Sequence, residues 1–225
     1  MSNKETSIIS SWLTNAAAWI DIISRQGIAS RTLATNKAII DAVMEQHPKS
    51  VLDLGCGEGW LCRELVKQGV QVTGTDISPE LIRKAGETTD GKFFVASYED
   101  ISAGHFIFEN RFDVIVINFA LLGKESVENL LSKLPSLLLP GGVLLIQTLH
   151  PIVRIAMGDY TTGWKEGSWD GLGEQFVQPY QWYFRTLEDW LDLLVKSGFS
   201  AVQHTTVSHP ETAAPLSLIL ACRTT

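Results

Sequence analysis

The chain has 225 residues, 45% of them hydrophobic, and a formal net charge of −7. That length and apolar content supply one substantial core and a modest appendage rather than several domains. The acidic balance, without any lysine–arginine run, argues against nucleic acid and anionic membrane surfaces as partners.

Cys56, Cys62 and Cys222 form neither a C-x-x-C pair nor a His–Cys cluster with zinc-ligand spacing, so no disulfide framework and no metal are expected. The polar start lacks the apolar core of a signal peptide, and no apolar run approaches the roughly 20 residues of a membrane span. A cytoplasmic protein with reduced thiols is the expectation. Nothing in the sequence signals an oligomeric state.

Residues 1–10 read as a frayed tail. Trp12, Ala16, Trp19, Ile20 and Ile23 then share one helical face, and Gly27 ends that helix. A second helix spans about 35–46, with Ile39, Ile40, Val43 and Met44 inward and Pro48 as its stop. Residues 51–54 are a short apolar run holding one acid, Asp53, the pattern of a buried strand. Gly55, Cys56, Gly57, Glu58 and Gly59 follow, and Leu61, Cys62, Leu65 and Val66 recur at helical spacing. Strand, glycine turn and helix in this order let a ligand lie against bare backbone, beside the unpaired N–H groups of a helix start.

Residues 71–77 form the next strand, which carries Asp76. That acid lies 21 residues after Gly55, close to the spacing of roughly 20 expected of a carboxylate that grips ribose hydroxyls. Ser78 and Pro79 open a helix with Leu81, Ile82 and Ala85 inward. A third strand follows at about 92–96, then Ser97 and Tyr98. Residues 112–122 are a long apolar run interrupted by Asp113 and Asn118, the mark of a buried parallel strand. A helix at about 124–138 and the Pro140-Gly-Gly142 turn lead to a fifth strand, 143–149, ending at His150-Pro151. Ligands bind outside the carboxyl ends of such strands, which places His150 towards a substrate as a candidate proton acceptor.

Residues 151–182 break the alternation with five glycines among Tyr160, Trp164, Trp169, Tyr180 and Trp182. Loops this long in compact domains are functional or disordered, and the rings argue against disorder. The stretch is therefore expected to be an acceptor lid. A helix starting near Thr186, a strand at 199–207, a short loop holding His209 and a strand at 216–222 finish the chain. That loop is too short for a crossover helix, so the last strand must run antiparallel to the one before it. His209, at the hairpin tip, is a second candidate base.

The run Val51-Leu-Asp-Leu-Gly-Cys-Gly-Glu-Gly59 with Asp76 resembles the class I S-adenosylmethionine-dependent methyltransferases. The G-x-G-x-G spacing and the acid before it suit a ligand with an ammonium group better than a dinucleotide pyrophosphate. The resemblance covers about residues 30–225. It implies an α/β, Rossmann-like doubly wound sheet of seven strands, order 3-2-1-4-5-7-6 with the last antiparallel and helices on both faces. It implies one domain: capping helices at 1–47, a cofactor-binding core at 48–150, the lid at 151–182, and a helix and hairpin at 183–225. It also implies that S-adenosyl-L-methionine donates a methyl group to a small-molecule acceptor, without a metal.

On this resemblance Arg31, with Arg25 a weaker alternative, would hold the methionine carboxylate. Asp53, Gly55 and Cys56 would meet the amino-acid end, Gly57 and Gly59 the bend near sulfur, and Asp76 and Ile77 the ribose. Ser97 stands where relatives carry an adenine-binding acid, and Tyr98 would stack on the purine or pack. Asn118 and Phe119 would border the methionine part. His150, Tyr160, Trp164, Trp182, Tyr183, Arg185 and His209 are the substrate-side candidates, and Arg154 or Arg185 would suit a carboxylated variant of the cofactor. An NAD enzyme and a non-catalytic cofactor-binding protein remain the two rival readings.

Overall fold

The computed structural model describes residues 2–155 and 158–224; Ala156 and Met157, within the expected lid, fall outside the described residues. Seven strands form the main sheet: β1 (Ser50–Leu54), β2 (Gln71–Asp76), β3 (Lys92–Val95), β4 (Phe112–Asn118), β5 (Leu138–Leu149), β8 (Phe199–Ser208) and β9 (Pro215–Thr224). Their order is β3-β2-β1-β4-β5-β9-β8. β1 to β5 pair in parallel, whereas β9 runs antiparallel to both β5 and β8. The expected order is thus observed, with β9 and β8 in the places given to strands seven and six. The shift in numbering arises because the chain forms a separate hairpin, β6 (Gly163–Glu166) with β7 (Gln181–Phe184), before the last helix.

Alternation along the central strands buries both faces. Val51, Val114, Val116, Val143 and Leu145 pack with Ile39 and Val43 of α3 (Asn36–Met44) and Leu61, Cys62 and Leu65 of α4 (Trp60–Val66). Leu52, Leu54, Ile115, Ile117, Leu144 and Ile146 pack on the other side against α7 (Glu125–Lys133) and α8 (Leu187–Lys196), through Val127, Leu130, Trp190 and Leu194. A doubly covered parallel sheet requires such apolar runs. α5 (Pro79–Thr88) follows β2, and a one-turn helix, α6 (Tyr98–Ser102), follows β3.

The N-terminal tail is not frayed. α1 (Asn3–Thr14) starts at Ser2, whose side chain accepts from the Glu5 amide, and α2 (Ala16–Ser24) follows a break at Asn15. The order comes from burial: Glu5 and Ile8 are buried, and Glu5 Oε1 accepts from Lys124 N at 2.9 Å, Ser126 N at 3.0 Å and Ser126 Oγ at 2.8 Å. α1 thereby caps the start of α7 with a carboxylate, where unpaired amides and the helix dipole favour one. Hydrogen bonds from Asn15 Nδ2 to Val177 O and from Ser11 Oγ to Gln178 O tie the same helices to the inserted stretch. A small cluster of Ile22, Trp169 and Phe176, packed by Trp12, Trp19 and Tyr180, roofs the carboxyl ends of the strands. Among the described residues no helix is long and apolar enough to cross a membrane.

Candidate functional site

The glycine turn after β1 is held from both sides. Gly55 N and Cys56 N both donate to Thr75 O, at 2.7 and 2.9 Å. Gly57 N donates to Asp76 Oδ2 at 3.0 Å, and Ser78 N to Oδ1 at 2.9 Å. The ends of β1 and β2 are thus laced together, and the Asp76 carboxylate is fixed beside bare backbone. Gly55 has φ +77°, and a Cβ there would stand 2.5 Å from Ala120 Cβ and 2.9 Å from Tyr98 Oη. Only glycine fits. Burial pushes the Asp76 carboxyl up, while hydrogen bonds from Ser78, Gly57 and Ile77 oppose the rise.

A cavity of about 660 Å³ opens over this turn. Gly55, Cys56, Gly57, Asp76, Ile77, Ser97, Tyr98, Asn118, Phe119 and Arg31 line it, and so does Trp182 from the insertion. Arg31 Nη2, Thr35 Oγ1 and Asn118 Oδ1, all from lining residues, are buried without a hydrogen-bond partner. Buried polar atoms are rarely left so, and those that are point to a missing partner. The other half of the cavity is apolar and ring-rich: Ile8, Ile9 and Trp12 of α1, with Trp169, Leu172 and Tyr180.

Two expected site residues do not reach the cavity, and two more that line it are committed elsewhere. Asp53 lies under the turn, with Oδ2 3.5 Å from the Cys62 thiol and Oδ1 unpartnered, and burial raises its pKa to about 7. Gly59 packs helices instead: a Cβ there would meet Ala85 Cβ at 2.9 Å. Ser97 lines the cavity, but its hydroxyl donates to Asp100 Oδ2 at 2.6 Å and accepts from Asp100 N, completing a capping box for α6. Tyr98 does not stack outward; its hydroxyl sits 3.3 Å from Ala120 O, against Gly55.

The substrate-side candidates divide similarly. His150 is spent at the end of β5: Nδ1 accepts from Ile152 N at 3.2 Å, and Nε2 lies 3.0 Å from Thr206 Oγ1. Tyr160 Oη accepts from Leu187 N and bonds Glu188, stapling the start of α8. Trp164 packs edge-on to Tyr183, with ring centres 5.4 Å apart. Arg185 is buried and donates to Gly123 O and Lys124 O, at 3.0 and 3.1 Å, so it braces the segment after β4. His209 Nδ1 accepts from Glu211 N and Thr212 N inside its own turn. Arg154 does line the cavity, ion-paired to Asp159, while Arg25 pairs with Asp21 at the surface. Among the described residues that line the cavity none is a histidine.

Residues not anticipated as site residues complete the wall. Glu5, Trp12, Trp19 and Trp60 all line the cavity. The signal for Trp60 was its position directly after the glycine turn; for Glu5 it was the Ser2-x-x-Glu5 capping pattern.

A parallel sheet whose first strand ends in a glycine bend, with an acid at the end of the second, defines a nucleoside-binding α/β domain of the Rossmann type. Residues 23–204 match the methyltransferase domain family, and the chain belongs to it. An uncharacterized methyltransferase of Mycobacterium tuberculosis is 31% identical over 137 residues, which are 60% of this chain and 66% of that protein. Phosphoethanolamine N-methyltransferase of Plasmodium falciparum is 30% identical over 173 residues, 75% of this chain and 60% of that enzyme. The chain thus spans somewhat less than two thirds of these relatives' lengths. The fold resembles that of Burkholderia thailandensis 1,6-didemethyltoxoflavin-N1-methyltransferase, solved with bound 1,6-didemethyltoxoflavin and S-adenosylhomocysteine, at a TM-score of 0.69. That match has 20% identity and covers 100% of this chain and 92% of the other.

Proposed function

We propose that this protein transfers a methyl group from S-adenosyl-L-methionine to a small, flat and largely apolar acceptor. One observation carries the reading. A single cavity joins a polar half, with the bare turn at Gly55 and Gly57, the Asp76 carboxylate and the unpartnered Arg31 Nη2, to a half walled by tryptophan and tyrosine rings. The polar half fits the cofactor's parts: Asp76 would accept from ribose hydroxyls, Arg31 would meet the carboxylate and Asn118 Oδ1 the ammonium.

Bound there, the cofactor supplies a methyl group already activated by positive sulfur. The protein then has to align the acceptor and exclude water, and alignment alone is worth roughly 7–11 kcal/mol of barrier. α1 and the stretch 151–182, bonded to each other through Ser11 and Asn15, serve as the acceptor lid over a single domain. Tyr180, pushed up to about 12 by burial, is a poor proton acceptor. An acceptor that gives up its proton readily or attacks through a neutral nitrogen suits a wall whose described residues include no histidine. The net charge of −7 and the ringed wall favour such a molecule over nucleic acid or a membrane surface.

The test is incubation of the protein with methyl-labelled S-adenosylmethionine and fractionated metabolite extract. Label in a low-molecular-weight product, dependent on Asp76, is the expected result. Label confined to nucleic acid, or none in any fraction, overturns the proposal.

A further inference from the structure

Arg31 is held in an unusual way. It is 9% exposed, in a short π-helical turn, Arg31–Thr35. Its Nε donates to Asn36 Oδ1 at 3.1 Å, and Nη2 has no partner. Its guanidinium lies 4.6 Å from the Trp60 ring centre and 5.6 Å from that of Trp19. Glu58, the carboxylate whose charge acts on Arg31, is engaged elsewhere: Oε1 with Arg63 at 2.8 Å and Oε2 with Trp60 N at 2.8 Å. Burial is severe enough to lower the Arg31 pKa to about 10. A buried charge whose nearest counter-charge is hydrogen-bonded elsewhere is costly. Two ring faces offset part of that cost, and an incoming anion with two oxygens would offset the rest through the free side of the fork.

We infer that Trp60, together with Trp19, is a positioning residue that sets donor specificity: the two rings hold Arg31 so that its fork selects a nucleoside ending in a carboxylate. The inference rests on the cofactor assignment made above and deepens it. Trp60 begins α4 immediately after Gly59, so the element that forms the glycine bend also carries the ring that aims the arginine. A truncated nucleoside keeps the contacts to Asp76 and the glycine turn and gains nothing from the clamp.

The experiment compares two ligands by calorimetric titration. S-adenosylhomocysteine has the carboxylate; S-adenosyl-3-thiopropylamine keeps the nucleoside, sulfur and ammonium but lacks it. Trp60→Leu should weaken S-adenosylhomocysteine about tenfold, the upper part of the cation–π range, and leave the decarboxylated ligand within about twofold. Trp60→Phe, which retains a ring and the fold, should lose only about two- to threefold for S-adenosylhomocysteine. If Trp60→Leu fails to fold, Trp60→Phe is read by the same split. Equal losses for both ligands would show a merely structural ring and overturn the clamp alone, as would no loss for either. Failure of both ligands to bind the wild-type protein overturns the cofactor assignment and the clamp together.

Discussion

Asp76→Ala removes a carboxylate that faces the cavity and holds the glycine turn. Its hydrogen bonds from Gly57 N and Ser78 N exist without ligand. The binding loss therefore reports the bonds that ribose hydroxyls would add. A hydrogen bond to a charged group is worth about 1.5–3 kcal/mol. At 1.4 kcal/mol per tenfold, Kd for S-adenosylhomocysteine should rise by about 10- to 150-fold. The turn also loses the carboxylate that its amides bond, so the variant should be less stable by about 1–3 kcal/mol. Circular dichroism must first establish that it is folded. Isothermal calorimetry on wild-type, Asp76→Ala and Asp76→Asn proteins then gives the answer, with Asn intermediate because it keeps one acceptor oxygen without the charge. A folded Asp76→Ala protein with wild-type affinity would refute the ribose assignment.

Three further outcomes follow from the same geometry. Glu5→Ala uncaps α7 and frees three donors, so urea unfolding should show a loss of about 1–3 kcal/mol; an unchanged midpoint would mean that α1 is not held there. Asp53 has a folded-state pKa of about 7, above the ordinary 3.8, so the folded protein keeps a proton that the unfolded chain releases. Its contribution is fully present below about pH 4 and is lost as pH rises to about 7, by at most about 4 kcal/mol. Asp53→Asn should accordingly gain on wild type across that window in denaturation experiments, and a pH-independent difference would contradict the buried neutral carboxyl. His150→Ala should keep kcat within about threefold, since general-base loss typically costs about 10²–10⁴; a loss of that larger size would restore His150 as the base.

The sheet was legible because its signals are local and repeated. Apolar runs of strand length, punctuated by Gly55 and Asp76, fix strands and crossovers, and the short loop at His209 fixes the one antiparallel closure. Pro140-Gly-Gly142, expected as a turn, instead lies inside β5 (Leu138–Leu149), where the register with β4 shifts between Phe112 and Val114. The meeting of the glycine turn and Asp76 at one cavity was legible for the same reason: both are close in sequence to the strands that carry them. The roof was not. α1 starts with polar residues, and its order depends on Glu5 meeting Lys124 and Ser126 far along the chain. The pairing of Trp164 with Tyr183 in the β6–β7 hairpin spans a glycine-rich stretch without strand periodicity. Side-chain commitments were hidden as well. His150, Ser97 and Tyr160 all carry suitable chemistry, yet each is consumed by a nearby backbone amide or helix cap, which composition and spacing do not reveal.

The most direct measurement is a pair of calorimetric titrations of the purified wild-type protein, one with S-adenosylhomocysteine and one with NADH. A bend flanked by Asp76 and Arg31 predicts saturable one-to-one binding of S-adenosylhomocysteine and none of NADH. Saturable binding of NADH, with no heat from S-adenosylhomocysteine, would contradict it.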